Sequence, residues 1–283
     1  MKKKFRLMTA AERKTFVDEA VLEAKKRMEK KAKTAIKARK KIAEKIAVSV
    51  AEFEALTGVM FSHNMSGKLQ DILSLSTSCL VNPACIARMN NKDSICAECF
   101  SVDTQQHYKE LSENTIFNYF ALNEKEYSLE ELPYLATDIL RIESFGDVGS
   151  VTQCINYINL CKKNPNVIIT AWSKNVGFWI IAFNRIGKPN NLIFGVSSEY
   201  KNTVKDIPAA WKKYVDFVFT VYTLDYLLSN NINPESFINC GGRSCRSCMR
   251  CYNKNNFVNG NIMYVNELLK ADAKKARKAG YNV

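Results

Sequence analysis

"NVIITAWSKNVGFWIIAFNRIGKPNNLIFGVSSE", residues 166–199, is the stretch that decides the fold. Two apolar runs, 166–175 and 191–199, flank an apolar segment, 177–187, that ends at Gly187. The outer runs have the length and β-branched content of strands, whereas the middle segment is long enough for a helix closed by its glycine. Nearly continuous apolar strands are typical of a parallel sheet with both faces buried. The stretch therefore predicts a strand–helix–strand unit.

The same alternation extends along the chain in both directions. Residues 107–123 and 151–164 have helical character, and four further short apolar runs are predicted strands: 72–79, a run ending near Ser144, 215–223 and 236–242. Six strands alternating with helices predict an α/β fold, either a doubly wound sheet or a barrel.

Polar residues follow most of the predicted strands at the point where each strand ends. Because the carboxyl ends of parallel strands meet along one edge, we expect these side chains to line a common site. The candidates are Glu143, Ser144, Gly146 and Asp147 after one strand, Ser173, Lys174 and Asn175 after the next, and Ser197, Ser198 and Glu199 after a third.

The two ends of the chain carry its basic excess. Residues 1–58 hold 17 Lys/Arg and 8 Asp/Glu, a net +9, and residues 270–283 hold 5 and 1, a net +4. These add to the whole formal charge of +13, so the segment between them is close to neutral. This pattern predicts a polyanionic partner such as nucleic acid, or else helices that only keep the protein in solution.

The organisation follows from this distribution. Residues 9–57 are rich in Ala, Lys and Glu, and Thr9 with Glu12 forms a capping-box pattern, so one or two long helices are predicted. We expect a basic helical arm over 1–58, a barrel-like body with two cysteine clusters over 59–260, and a basic C-terminal helix or tail over 261–283.

No apolar run approaches the roughly 20 residues of a membrane span, and no apolar signal region follows the basic N-terminus, which predicts a cytoplasmic protein.

Eight of the ten cysteines fall into two groups. The first cysteine group is Cys79, Cys85, Cys96 and Cys99, and the second is Cys240, Cys245, Cys248 and Cys251 within "CGGRSCRSCMRCY". In a cytoplasmic chain such spacing indicates metal binding or catalysis before disulfides. Successive Cys-x-x-Cys spacing favours an iron–sulfur cluster. The alternatives are a zinc site that joins the 96/99 pair to the 248/251 pair, and a disulfide framework. Cys154 and Cys161 lie on one face of a predicted helix, as core residues do.

The chain resembles the radical SAM superfamily, and within it the phage-encoded iron–sulfur branches. "CAECFS" (96–101) is similar to the end of that family's cysteine loop, and "RIESFGDV" (141–148), "TAWSKN" (170–175) and "IFGVSSE" (193–199) are similar to its later strands. The resemblance covers about residues 70–252 and leaves out the basic arm. It implies a partial (β/α)6 TIM-like barrel, located in the host cytoplasm if the protein is phage-encoded.

What the resemblance implies for chemistry is specific. Three cysteines would hold a [4Fe–4S] cluster whose open iron binds S-adenosylmethionine, and one electron would then cleave that cofactor to a 5′-deoxyadenosyl radical. Cys96 and Cys99 match the last two ligands, with Cys79 or Cys85 as the first. The 143–147 loop would bind the methionine amino group and residues 197–199 the ribose or carboxylate, while the 173–175 loop lies on the same rim. The second cysteine group would hold an auxiliary cluster.

The chain also departs from the family pattern. The usual spacing is Cys-x3-Cys-x2-Cys, whereas ten residues separate Cys85 from Cys96 and sixteen separate Cys79 from Cys96. The first group also has one cysteine more than three-ligand binding needs. We therefore expect either an enzyme that modifies a nucleic acid or nucleotide, or a non-catalytic protein, stabilised by iron–sulfur or zinc, that binds a nucleic acid or a protein partner.

Overall fold

A computed structural model describes residue 5 and residues 8–42, 48–241, 243–257 and 260–283. At residue 28 and over 31–42 it describes the backbone only. Parts of the predicted arm, at 1–4, 6–7 and 43–47, therefore lie outside the described residues.

Helices and strands alternate through the described chain. The strands are β1 (Ser62–His63), β2 (Leu73–Leu75), β3 (Ile139–Ile142), β4 (Ile168–Ser173), β5 (Leu192–Ser197), β6 (Phe217–Tyr222) and β7 (Met263–Leu268). The helices are α1 (Ala10–Ile42), α2 (Val50–Thr57), α3 (Pro83–Asn90), α4 (Phe100–His107), α5 (Lys109–Glu124), α6 (Val151–Lys163), α7 (Val176–Ile186), α8 (Ala209–Lys212), α9 (Leu224–Ser229), α10 (Pro234–Phe237), α11 (Cys245–Cys248) and α12 (Lys270–Lys278).

The described strands form one sheet in which spatial order follows sequence order, β1 to β7. β1 and β2 are antiparallel, and every later neighbour is parallel; Ala171, for example, lies between Ile142 and Phe194. Among the described strands β1 does not pair with β7, so the sheet is open. The predicted α/β fold with a mainly parallel sheet is confirmed.

Alternation along the strands separates two apolar faces. Leu140, Ile169 and Phe194 belong to a large core that the helices cover, which we name the outer face. There Trp179 of α7 packs against Phe194 with ring centroids 5.1 Å apart. Two-residue periodicity sends the intervening residues to the opposite, inner face.

The C-terminal cysteine segment covers part of the inner face instead of a helix layer. Cys251 and Tyr252 pack with Ile139, Ile193 and Phe217 in a separate core. The Thr170 hydroxyl of β4 donates a hydrogen bond to the Cys251 carbonyl at 3.0 Å. A segment without strand pairing is thus fixed to the middle of the sheet.

The last predicted strand is wrong, and the real one lies further along the chain. The described part of this segment, 236–241, forms no strand; instead Asn233 caps α10, and Pro234 occupies its first turn, where proline is well tolerated. Cys240 contacts the sheet through a single bridge to Glu267. The last strand is β7, inside the segment 261–283 that was predicted as a basic helix or tail, and the helix α12 follows it.

The segment predicted to form one or two long helices contains the long helix α1 and the short helix α2, and α1 packs on the body. The Thr9–Glu12 capping box forms, with the Thr9 amide donating to the Glu12 carboxylate at 2.6 Å. Ala24 of α1 is fully buried in a core with Ile116 of α5. Arg27 pairs with Glu113 at 3.0 Å. The described part of α1 is therefore docked along one stripe.

Candidate metal and cofactor site

The first cysteine group converges at the carboxyl edge of the sheet. Cys79 follows β2, Cys85 lies in α3, Cys96 lies in the single turn Ile95–Glu98 before α4, and Cys99 follows that turn. A hydrogen bond from the Cys79 thiol lowers the pKa of Cys99 to about 6. Burial raises the pKa of Cys85, and Cys96 and Cys99 raise it further because negative charge on their sulfurs would lie close by. Four thiols from three segments thus share one small region.

Hydrogen bonds fix the cysteine-bearing loops to two strand ends. Asn82 caps α3 through its side-chain oxygen, and its amide nitrogen donates to the Asp147 carbonyl at 2.7 Å. The Ile95 amide donates to the Glu199 carbonyl at 2.9 Å, and the Ser94 hydroxyl donates to the same oxygen at 3.3 Å. The loops therefore lie against the ends of β3 and β5.

Asp147 joins three of these segments through its buried carboxylate. It accepts hydrogen bonds from the Ser173 hydroxyl at 2.6 Å and from the backbone amides of Lys174 and Asn175 at 3.0 and 3.2 Å. Arg88 of α3 pairs with Asp147 at 3.4 Å and lies 3.7 Å from the Glu199 carboxylate. The predicted residues after β3, β4 and β5 are thereby brought together, and Arg88 is the link that the sequence did not indicate.

Glu143 is the most constrained residue of this edge. Its backbone is left-handed at φ 55°, an uncommon conformation for a residue with a side chain. The buried carboxylate accepts hydrogen bonds from Thr77, Gln153 and Tyr157. Burial raises its pKa to about 7, while the bonds from Tyr157 and Thr77 oppose that rise. A carboxyl group so enclosed is held in one position.

Gly146 brings the same loop close to the end of β2. Its φ is 102°, and a methyl group at this position would lie 2.3 Å from the Thr77 carbonyl oxygen. Ser144 forms a hydroxyl–hydroxyl bond with Ser76 at 2.7 Å. The 143–147 loop is thus held tightly against the segment that leads into Cys79.

The other predicted rim residues have different surroundings. Burial raises the pKa of Cys96, and the nearby Lys174 ammonium opposes that rise. The same ammonium adds to the Cys79 hydrogen bond in lowering the pKa of Cys99. Ser198 forms a bond with Thr220 of β6 at 2.8 Å, and the Lys205 amide donates to Ser198. The Ser198 hydroxyl and the Asp147 carboxylate are therefore both engaged in hydrogen bonds within the protein. Ser197 is buried at the end of β5.

The second cysteine group lies across the inner face, in a different core from the first. The Cys245 amide donates to the Lys68 carbonyl at 2.7 Å, and the Lys68 ammonium lies 3.2 Å from the Cys240 sulfur. Lys68 also pairs with Glu267 of β7. Since Lys68 precedes β2, these contacts join the first and last parts of the sheet.

Arg141 of β3 points toward this second group. It is 6% exposed, and no described carboxylate lies within ion-pair distance of it. Its guanidinium lies 3.8 Å above the Trp172 ring, and its Nε atom is buried without a hydrogen-bond partner among the described residues. Burial raises the pKa of Cys245, and Lys68 and Arg141 oppose that rise. The sequence signal for Arg141 is that a charged residue occurs inside an otherwise apolar predicted strand.

No set of three or more His, Cys, Asp or Glu side chains in the described part of the chain has the geometry to hold a metal ion as it stands. All ten cysteines are free thiols. The donor chemistry of each group nevertheless fits a thiolate-bound cluster, and the buried, unpaired Arg141 fits an anionic neighbour. A single zinc ion joining the 96/99 and 248/251 pairs fits poorly, since the groups occupy separate cores.

Comparisons with known proteins return no relative. No family model matches the chain, and neither a curated protein nor a solved structure matches it significantly. No described helix is both long and apolar enough to cross a membrane.

Proposed function

We propose that this chain is an iron–sulfur protein resembling radical SAM enzymes and that it acts on a nucleic acid or nucleotide. The observation that carries the proposal is the convergence of Cys79, Cys85, Cys96 and Cys99 beside the network of Asp147 at the carboxyl edge of the sheet. In α/β proteins that edge is where ligands bind.

A partial (β/α)6 TIM-like barrel is the architecture we infer for the sheet. Sequential strand order with helices on one face supports it. Further support comes from Lys68, which precedes β2 and yet contacts Cys240 and Glu267 beside β7. Contacts between opposite ends of a sheet require it to curve.

In this proposal Cys96, Cys99 and either Cys79 or Cys85 would hold a [4Fe–4S] cluster. Such a cluster, when bound, supplies the electron that cleaves S-adenosylmethionine. The residues of the chain would position and shield these bound groups. Lys174 places positive charge beside the thiolates, and Glu143 presents a fixed carboxyl group. Arg88 holds the cysteine loop against the strand ends.

The test is metal and product analysis of protein purified without oxygen. We expect brown protein containing iron and sulfide, which releases 5′-deoxyadenosine from S-adenosylmethionine when dithionite is added. Cys99→Ala should lose most of this release and part of the iron. Cys161→Ala is the matched control, because Cys161 is fully buried on α6 outside both groups. Colourless protein that carries zinc would rule the proposal out.

A second candidate function is non-catalytic, and the fourth thiol of the first group favours it. If Cys79, Cys85, Cys96 and Cys99 all bind the cluster, no iron remains open for S-adenosylmethionine. The clusters would then stabilise the fold of a binding protein. Iron-bearing protein that releases no 5′-deoxyadenosine, with four-thiolate irons by Mössbauer spectroscopy, would establish this alternative.

The partner we propose is nucleic acid, bound by the basic arm. Lys14 and Lys25 of α1 are exposed, and neither forms an ion pair with another described residue. They are eleven residues apart, which is close to three helical turns, so both lie on one stripe about 16 Å long. Lysines spaced along a docked helix contact phosphates without reading sequence.

A further inference from the structure

We propose that Arg141 supplies the counter-charge of an anionic thiolate–metal centre held by Cys240, Cys245, Cys248 and Cys251. This inference rests on metal binding by the second cysteine group in the proposed function, and it gives Arg141 a role as a positioning residue. Arg141 lies on β3, about a hundred residues before these cysteines in sequence.

Arg141 is an isolated buried cation in the described structure. Burying a guanidinium without an anion is costly, so buried arginines are nearly always paired. Here the ring of Trp172 lies on one side, and the Nε atom has no hydrogen-bond partner among the described residues. The polar neighbours of Arg141 are Ser74 and Thr170 on the flanking strands and the Tyr252 hydroxyl, and none of them is an anion. A phenol carries no charge at neutral pH, so the counter-charge must come from elsewhere.

The second cysteine group lies beside Arg141. Trp172, on which the guanidinium stacks, lines one cavity with these cysteines, and Thr170, the β4 neighbour of Arg141, donates to the Cys251 carbonyl. The same group lines a small cavity of about 30 Å³ together with Lys68, Trp172 and Tyr252. Four thiolates around a centre of charge +2 leave a net charge of −2, whether the centre is zinc or a [4Fe–4S] core. Lys68 is already paired with Glu267, and Arg243 and Arg250, which also line the cavity, are not buried. Arg141 is therefore the buried cation beside the centre that has no carboxylate partner among the described residues.

Metal binding and Arg141 should therefore depend on each other. With metal present, Arg141 offsets part of the −2 charge, and the centre supplies the anion that the guanidinium lacks. Without metal the thiols take up protons, and Arg141 is left buried alone. Removing the arginine should weaken metal binding. It should not destabilise the metal-free protein, because no unpaired charge is then buried.

The experiment measures Zn²⁺ affinity and melting temperature in a Cys96→Ala/Cys99→Ala background, so that the second group is the one titrated. We expect Arg141→Met to lower Zn²⁺ affinity at least tenfold, while its metal-free form melts no lower than the metal-free parent. Arg141→Lys should recover part of the affinity. If the arginine merely packs on Trp172, Arg141→Met will lower both melting temperatures equally and leave affinity unchanged, which overturns the inference.

Arg246→Met is the matched control, because Arg246 lies within the cysteine segment but is exposed and pairs with Asp138 at 2.7 Å. Its Zn²⁺ affinity should change less than twofold. If the background variant does not fold, the same comparison is made in the full chain by competing Zn²⁺ with a chromogenic chelator. The question is then whether Arg141→Met weakens one of the phases of Zn²⁺ binding. A second group that binds no Zn²⁺ overturns the inference, whereas absent 5′-deoxyadenosine release alone refutes the enzymatic proposal and leaves this one standing.

Discussion

Gly146 is the residue whose backbone decides how the 143–147 loop meets Thr77. Replacing it with alanine adds a methyl group 2.3 Å from the Thr77 carbonyl oxygen and strains a φ of 102°. We expect Gly146→Ala to lower the free energy of unfolding by about 2 kcal/mol or more in urea. Gly67→Ala is the control, since its φ of 79° carries similar strain but nothing lies within 4 Å. Equal losses in both variants would show that the close approach contributes nothing.

The raised pKa of Glu143 predicts that the stability of the protein depends on pH. The folded pKa of this residue, about 7, lies above its usual value of 4.5, so the folded state holds a proton that the unfolded state has released between these values. The stabilisation is complete below about pH 4.5 and is lost as pH rises through 7, by about 3 kcal/mol in total. Urea unfolding from pH 5 to 8 should show this decline, and Glu143→Gln should flatten it. An equal slope in the variant would assign the decline to other groups.

At the scale of elements, what the sequence could predict depended on local pattern. Strands such as β4 and β5 are apolar runs bounded by polar residues, and they lie where the pattern places them. β7 was missed because "MYVNEL" mixes polar and apolar residues, as expected for a strand at the edge of a sheet. Asn239 and Cys240 cover that edge by bonding to Asn266, a long-range arrangement without a local signal.

The place of β7 in the sheet predicts where the chain can be shortened. A chain ending at residue 260 loses Val265 and Leu268, which are buried against Phe217 and Tyr222 in two cores. We expect that chain to be insoluble or to lack a cooperative thermal transition. A chain ending at residue 269 keeps β7 and should retain a cooperative transition with a lower midpoint. If the shorter chain melts cooperatively, β7 belongs to a dispensable tail after all.

At the scale of the whole molecule, the sequence indicated candidate residues for the site. It did not indicate the contacts that hold those residues together. The cysteine spacing and the polar strand ends predicted the members of the carboxyl-edge site. Arg88, Lys68 and Arg141 were not predicted, because their roles depend on contacts between segments distant in sequence. Whether thiols bind iron is likewise a property of the assembled groups and not of one motif.

The uneven charge of the whole chain leads to the last prediction, on nucleic-acid binding. Each lysine that no longer neutralises a phosphate should reduce the slope of log K against log salt concentration by about 0.9 for duplex DNA. Lys14→Gln/Lys25→Gln should therefore reduce the slope by about 1.8, measured by fluorescence anisotropy from about 50 to 200 mM salt. Lys212→Gln/Lys213→Gln is the control, since these exposed lysines lie on the nearly neutral body. An unchanged slope in the arm variant, or equal reductions in both, would refute phosphate binding by α1.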